Sequence, residues 1–174
     1  KDLTSPDAKV VELLNEFDAS YNFVDNDGPV FWFVTDLGAP RSRLVAIDTR
    51  SPDRARWQEV IPQTAETLTS VSVVGGRLIA NYLKDARSQV KIFGLDGKLA
   101  RDVDLPGIGS AAGFGGKRSD PETFYSFTSF STPATIFRYD VASGLSSIFR
   151  APQVAFNPAD YETRQVFFQS RDNT

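Results

Sequence analysis

The chain has 174 residues, of which 41% are hydrophobic, 12% aromatic and 24% charged, and its formal net charge is −3. Such a chain is long enough to bury a core, and its mixed charges leave no basic footprint for nucleic acid or anionic lipid. It contains no histidine and no cysteine, which excludes Ser-His-Asp and Cys-His catalysis, disulfides and thiolate or imidazole metal sites within it.

The first segment, residues 1–20, carries two competing patterns. In "DAKVVELLNEF" the apolar residues Val10, Leu13, Leu14 and Phe17 lie at helical spacing. The repeat described next instead places "VVELLNEF" where the outer strand of a preceding unit belongs. We therefore predict an outer strand of a preceding blade here.

Strand-like runs recur along the chain with a period of about 46 residues. Each unit opens with a run such as "VFWFVTD", continues with a run that ends in aspartate, and closes on proline. The equivalent positions are Phe31, Leu78 and Phe124, then Asp48, Asp96 and Asp140, then Pro62, Pro106 and Pro152. Turns rich in glycine, asparagine and aspartate separate the runs. A further short run with small residues precedes each unit, so four antiparallel strands are predicted per unit.

Four antiparallel strands in about 45 residues are typical of a β-propeller blade. The predicted fold class is therefore all-β, a partial β-propeller of about three four-stranded blades plus edge strands. The blades are placed at residues 21–62, 63–106 and 107–152. A β-sandwich is the alternative, but it gives no reason for all four strands to repeat in phase.

The last segment, residues 153–174, is predicted to be a linker and the first strand leading into another domain. Its sequence "YETRQVFFQSRDNT" starts a new alternating strand and stops at the turn pair Asp172-Asn173. Three blades alone would also leave two open sheet edges. We expect a piece of a larger protein that is unstable or self-associating without its remaining blades.

The stretch "ETFYSFTSFSTPATIFRYD" carries a specific resemblance. A Phe-Thr-Ser-Phe run followed by proline stands at this place in the prolyl oligopeptidase (prolyl endopeptidase) family. "VFWFVTDLGAPRSRLVAIDTRSPDRARWQEVIP" is similar to a blade of that family, with Thr35-Asp36 in place of Thr-Asn. "YETRQVFFQSRDNT" resembles the strand that re-enters the catalytic domain. The resemblance implies the C-terminal part of a seven-bladed propeller, namely its last three blades and the edge of a fourth.

The resemblance also implies that this chain holds no catalytic residue and needs no cofactor or metal. The family's serine, aspartate and histidine lie in an α/β-hydrolase domain that follows the propeller. The parent protein would be a serine endopeptidase that cleaves short peptides after proline, with this segment forming part of the lid that restricts substrate access. The implied partners are the rest of the propeller, the hydrolase domain and short proline-containing peptides. Neither nucleic acid nor a membrane is expected.

Strand order predicts which loops approach the hydrolase domain. Strands run alternately outward and back, so the connections 36–43, 84–89 and 129–135 share the face from which the chain leaves its last blade. The candidate interdomain residues are Asp36, Arg41, Arg43, Lys84, Asp85, Arg87, Ser129, Ser131 and Thr132. Two alternatives stay open: the hydroxyls only pair across strands or cap the turn, and the charges are solvated loop charges.

Other motifs support no site. "PGIGSAAGFGGKR" has the glycine density of a phosphate loop, but Ala111 and Arg118 break the required spacing. "DNDG" hints at calcium, but an EF-hand loop would need acidic residues at Phe23 and Val34. Paired carboxylates such as those of "RDVDLP" alternate along a strand and warrant no acid–base role.

Two further functions stay open for this pattern. A stand-alone propeller scaffold would bind protein partners, and another oligopeptidase-type propeller, such as that of oligopeptidase B or a dipeptidyl peptidase, would serve a different enzyme. A Gly-x-Ser-x-Gly elbow beyond this chain would favour the peptidase. Composition suggests a bacterium, with the cytoplasm and the periplasm both open.

Overall fold

The computed structural model describes residues 1 and 4–171. In this part of the chain, twelve strands form three four-stranded antiparallel sheets. The strands are β1 (Tyr21–Asp27), β2 (Val30–Thr35), β3 (Arg43–Asp48) and β4 (Gln58–Ile61) in the first sheet, β5 (Thr67–Val74), β6 (Arg77–Lys84), β7 (Arg87–Phe93) and β8 (Leu99–Asp102) in the second, and β9 (Ser110–Gly115), β10 (Glu122–Thr128), β11 (Thr135–Asp140) and β12 (Ser146–Arg150) in the third. Within each sheet every strand pairs with the next one along the chain, which confirms the predicted fold class.

The second sheet is buried on both faces. Leu78 and Tyr82 of β6 pack toward the first sheet against residues such as Trp32. Ile79, which lies between them in the strand, packs toward the third sheet against residues such as Phe114. Because both faces of β6 enter a core, its residues 78–82 are all buried, and all of them except Asn81 are apolar.

The third sheet is buried on one face only, and this explains the alternation in "TFYSFT". Tyr125 and Phe127 are 1% exposed and pack toward the second sheet. Phe124, Ser126 and Thr128 point to the opposite face, which is open. The hydroxyls of this strand therefore occupy positions that stay outside the core of this chain.

The terminal segments differ from the sequence prediction. The described residues of 1–20 form bends and turns, with neither the predicted strand nor the alternative helix. Leu13 and Leu14 instead pack on the outer face of the first sheet, beside Phe33. A strand exists only where a neighbouring strand accepts its hydrogen bonds, and the preceding blade to which the sequence assigns this strand is not among the three sheets. Its place in such a blade stays a prediction.

Residues 153–171 contain one 3₁₀ turn, Pro158–Asp160, and no strand. The strand predicted to lead into another domain is thus not formed in this part of the chain. The turn pair Asp172-Asn173 lies outside the described residues.

Arg118 joins the third sheet to the first across the second. It lies in the β9–β10 connection, and its Nη2 is 3.0 Å from Oδ2 of Asp25 and donates to the carbonyl oxygen of Asn26 at 2.8 Å. Its Nη1 is 3.5 Å from Oδ2 of Asp27, and the guanidinium lies 5.2 Å from the ring centre of Trp32. The "GFGGKRSD" and "DNDG" turns, which fit neither a phosphate nor a calcium loop, therefore contact each other.

Candidate functional site

The β2–β3, β6–β7 and β10–β11 connections are residues 36–42, 85–86 and 129–134, and they lie at one end of the three sheets. We name this end the connection face. Residues 62–66, between β4 and β5, bridge the first two of these connections. The backbone N–H of Arg41 donates to Oε1 of Gln63 at 2.7 Å, and its guanidinium donates to the carbonyl oxygen of Ala65. Lys84 forms an ion pair with Glu66 at 3.6 Å.

The chain that follows β12 crosses the same face. The hydroxyl oxygens of Ser131 and Thr163 are 3.0 Å apart, and the side-chain amide of Gln165 donates to the backbone carbonyl of Asp85. Residues 153–171 therefore contact two of the three connections.

Four of the six charged candidates have partners within the chain. Arg41 and Lys84 contact residues 62–66 as described above. Oδ1 of Asp36 accepts the backbone N–H of Ser20 at 2.7 Å, and this hydrogen bond lowers the pKa of the carboxyl group. Arg43 belongs to β3 rather than to the loop, and its guanidinium bonds Glu59 at 2.9 Å and the carbonyl of Leu37 at 3.1 Å.

The other two charged candidates lie at the β6–β7 turn. Asp85 and Ala86 occupy the turn with φ values of +47° and +58°, the left-handed geometry of a tight two-residue hairpin. Lys84 and Arg87 are consequently strand residues that face each other across the ladder. The Asp85 side chain is exposed, whereas Arg87 is half-buried and its Nε is buried without a hydrogen-bond partner among the described residues.

The hydroxyl candidates hold the β10–β11 turn. Oγ of Ser129 accepts the backbone N–H groups of Ser131 at 3.3 Å and Thr132 at 2.9 Å, and the Thr128 hydroxyl donates to the carbonyl of Thr132 at 3.2 Å. Turn capping is thus one role of Ser129 in this chain. An interdomain role of these hydroxyls stays a prediction.

Arg87 lines two of the cavities that open on the connection face. One of about 420 Å³ lies between the β6–β7 turn, the β10–β11 turn and residues 163–165. The other, of about 350 Å³, includes Gln89, Asp102 and Asp104 in its walls. Oε1 of Gln89 is also buried without a partner among the described residues. The sequence by itself does not indicate the place of these two carboxylates or of residues 163–165, because only the folded chain brings them beside Arg87.

Neither a metal site nor a bilayer-spanning helix emerges from the residues that the structure describes. They contain no group of three His, Cys, Asp or Glu side chains suited to a metal ion. They also contain no helix of the length and apolarity needed to cross a membrane.

Repeated four-stranded meanders packed face to face define a segment of a β-propeller. A family model described as the N-terminal β-propeller domain of prolyl oligopeptidase matches residues 1–152. The chain belongs to this family. Its resemblance to prolyl oligopeptidases, first indicated by the "FTSF" run, is therefore confirmed.

Relatives of known activity are much longer than this chain. It is 42% identical over 164 residues to a prolyl endopeptidase of Elizabethkingia meningoseptica, and the match covers 94% of this chain and 23% of that protein. It is 30% identical over 182 residues to the dual function macrocyclase-peptidase POPB of Amanita bisporigera, covering 100% of this chain and 24% of that one. The chain thus spans about a quarter of the length of these relatives. The bacterial relative agrees with the predicted bacterial source.

Solved structures show the same architecture. A structure from a study of two prolyl endopeptidases and the role of inter-domain dynamics superposes with a TM-score of 0.84 at 40% identity, over 93% of this chain and 24% of that one. Prolyl oligopeptidase B of Galerina marginata superposes with a TM-score of 0.84 at 26% identity, over 94% of this chain and 24% of that one. The Galerina enzyme has also been solved with a 35mer hydrolysis and macrocyclization substrate bound.

Proposed function

We propose that this chain is the C-terminal part of the propeller of a serine endopeptidase that cleaves short peptides after proline. In this role it performs no bond cleavage and forms part of the lid that restricts substrate access. Family membership across residues 1–152, together with 42% identity to a prolyl endopeptidase, is the observation that carries the proposal.

Two properties of the chain support a noncatalytic role. It lacks histidine and cysteine, so a serine or thiol nucleophile would have no imidazole base within it. Its connection face is polar, partly charged and crossed by the chain that follows β12. Interfaces between domains of one chain are more polar than cores, which suits such a face to a neighbouring hydrolase domain.

A fluorophosphonate serine probe tests the proposal on the source protein. We expect the probe to add its mass to a species far heavier than 19.2 kDa that contains this sequence. Labelling of a 19.2 kDa species would show that the nucleophile lies in this chain and overturn the noncatalytic assignment. A heavy species that takes no probe would instead favour a propeller scaffold.

The access role needs a separate measurement. A series of proline-containing peptides of increasing length would be offered to the whole enzyme and to a form with the β10–β11 turn shortened. We expect the whole enzyme to discriminate against long peptides and the shortened form to discriminate less. Equal length dependence in both forms would contradict a role of this chain in access.

A further inference from the structure

We propose that Arg87 binds a carboxylate of the neighbouring hydrolase domain and so holds that domain against the connection face. This inference rests on the proposed function and goes beyond it by naming one residue and the chemistry of its partner. The nine candidate residues of this face differ in whether the folded chain gives them a partner.

The contacts of the other cations remove them from consideration. Arg41 is held by Ala65, Arg43 by Glu59 and Lys84 by Glu66. The Nε of Arg43 is also buried without a partner among the described residues, but both of its Nη atoms are bonded, so a carboxylate from another domain would compete with Glu59 there. Arg87 forms no ion pair with any described residue, and it starts β7 at the edge of the connection face.

Burial makes the missing partner of Arg87 costly. Its Nε is fully covered and has no acceptor among the described residues, and a buried donor without an acceptor loses its hydration energy. The neighbouring Asp85 side chain is exposed, so water satisfies it. A guanidinium fork that is already partly desolvated is suited to a bidentate carboxylate contact.

The geometry gives a carboxylate room to reach Arg87. Arg87 lines cavities of about 420 Å³ and about 350 Å³ on the connection face. The chain leaving β12 also passes its turn, where Gln165 donates to the carbonyl of Asp85. In the proposed function the hydrolase domain faces this surface, so a carboxylate of that domain could enter these cavities.

Asp102, Asp104 and Gln89 are the competing partners within the chain, and the amide oxygen of Gln89 is itself buried without a partner among the described residues. They line the smaller cavity with Arg87 but form no ion pair with it. If they captured the guanidinium, Arg87 would stabilise the second sheet and contribute nothing to the contact between domains. The test must therefore separate stability of the propeller from closure of the two domains.

The experiment compares Arg87→Gln and Arg87→Lys with the matched control Arg77→Gln in the full-length enzyme. Arg77 begins β6 at the opposite end of the same sheet and forms no ion pair with a described residue. Hydrogen exchange at the hydrolase surface and the low-salt rate of cleavage of long peptides report domain closure. Thermal unfolding of the propeller reports its stability.

We expect Arg87→Gln to shift the open-to-closed ratio about tenfold, as the loss of one charge-assisted hydrogen bond would. Arg87→Lys keeps the positive charge but loses the paired N–H donors of the guanidinium, so its open-to-closed ratio should lie between those of Arg87→Gln and the wild type. High salt should weaken the wild-type contact and leave Arg87→Gln little changed. The control should match the wild type.

Exchange at the hydrolase surface that is equal in Arg87→Gln and Arg77→Gln would overturn the inference. A loss of propeller stability in Arg87→Gln without a change in that exchange would also overturn it and assign Arg87 to Asp102, Asp104 or Gln89. Failure of the fluorophosphonate probe to label the enzyme would overturn the proposed function itself. The two failures are thus distinguishable.

Discussion

Three tyrosine side chains are almost completely buried between the sheets, but only one of them has a partner for its hydroxyl. Tyr125 shares a hydrogen bond of 3.0 Å with the hydroxyl of Ser146. The hydroxyls of Tyr82 and Tyr139 are buried without a partner among the described residues. Loss of the hydroxyl oxygen should therefore affect the free energy of unfolding at Tyr125 but not at Tyr82 or Tyr139.

Removal of the Tyr139 hydroxyl should be neutral or stabilising. Tyr139→Phe deletes a buried polar atom that makes no hydrogen bond, whereas Tyr125→Phe deletes one that does. We expect Tyr125→Phe to lower the free energy of unfolding by about 1 kcal/mol. Tyr139→Phe should leave it unchanged or raise it. Urea unfolding of both variants checks this, and an equal loss in the two would contradict it.

The same burial makes the fold sensitive to alkali. Burial raises the pKa of Tyr82 to about 12 and also raises the pKa values of Tyr125 and Tyr139. Between pH 10 and the raised pKa, the unfolded chain loses a proton that the folded chain keeps, so the free energy of unfolding falls as pH rises.

We expect this free energy to be insensitive to these tyrosines below pH 9 and to decline from about pH 10 to pH 12. Tyr82→Phe should show a shallower decline because it has one such group fewer. Urea unfolding at a series of pH values is the measurement. Parallel declines in Tyr82→Phe and the wild type would show that Tyr82 titrates normally.

At the scale of elements, the turn between β7 and β8 contacts the sheet before it. Gly97 has a φ of +78°, and a Cβ at this position would clash with the backbone carbonyl of Val60 in β4. Gly28, in the β1–β2 turn, has a φ of +54° but no neighbour within 4 Å of such a Cβ. One glycine is needed for its backbone angle alone, and the other also for close packing between blades.

The two glycines form a matched pair for mutagenesis. Gly28→Ala should cost about 1 kcal/mol for the left-handed backbone. Gly97→Ala should cost about 3 kcal/mol or more, because the β7–β8 turn must also move away from β4. Thermal unfolding of both variants measures the two losses of stability. Similar losses would mean that the β7–β8 turn can move away from β4 at no cost in free energy.

At the scale of the whole molecule, Arg118 connects the first and third sheets. Arg118→Gln should lower the free energy of unfolding by about 1–2 kcal/mol, since it loses a partly exposed ion pair and a contact with Trp32. Lys117→Gln is the control, because Lys117 is the exposed neighbour. The double variant Asp25→Asn, Arg118→Gln should lose less than the sum of the single losses. Additive losses in urea unfolding would show that the pair does not couple the sheets.

The open face of the third sheet predicts self-association of the chain by itself. Phe149 is 62% exposed and its ring centre lies 4.9 Å from that of Phe124, and Phe124 and Ile136 lie on the same face with more than a third of their surface exposed. Contiguous apolar surface of this kind is covered by a partner in most proteins. We expect sedimentation velocity to show association that rises with concentration.

Phe149→Ser should weaken this association, whereas Phe130→Ser should not. Phe130 is 102% exposed at the tip of the β10–β11 turn and contributes to no sheet face. A chain that stays monomeric at all concentrations would contradict the prediction and would mean that the open apolar face of the third sheet stays solvent-exposed without driving association.

The propeller architecture was accessible from the sequence by itself because it rests on local physics. The sequence shows alternating apolar side chains, turn residues that favour positive φ and a period of about 46 residues. They are enough to predict twelve strands and their order. The family resemblance, carried by one run of aromatic and hydroxyl residues, was likewise visible without coordinates.

Only the tertiary structure decided how the terminal segments lie and which charges are free. Strand formation at residues 1–20 depends on a neighbouring strand, which the sequence cannot supply. Arg43, Lys84 and Arg87 are all cations in the sequence, yet among the described residues Arg43 and Lys84 form ion pairs with carboxylates and Arg87 forms none. The reason is that an ion pair is set by distances between residues far apart in the chain, and those distances exist only after the sheets have packed.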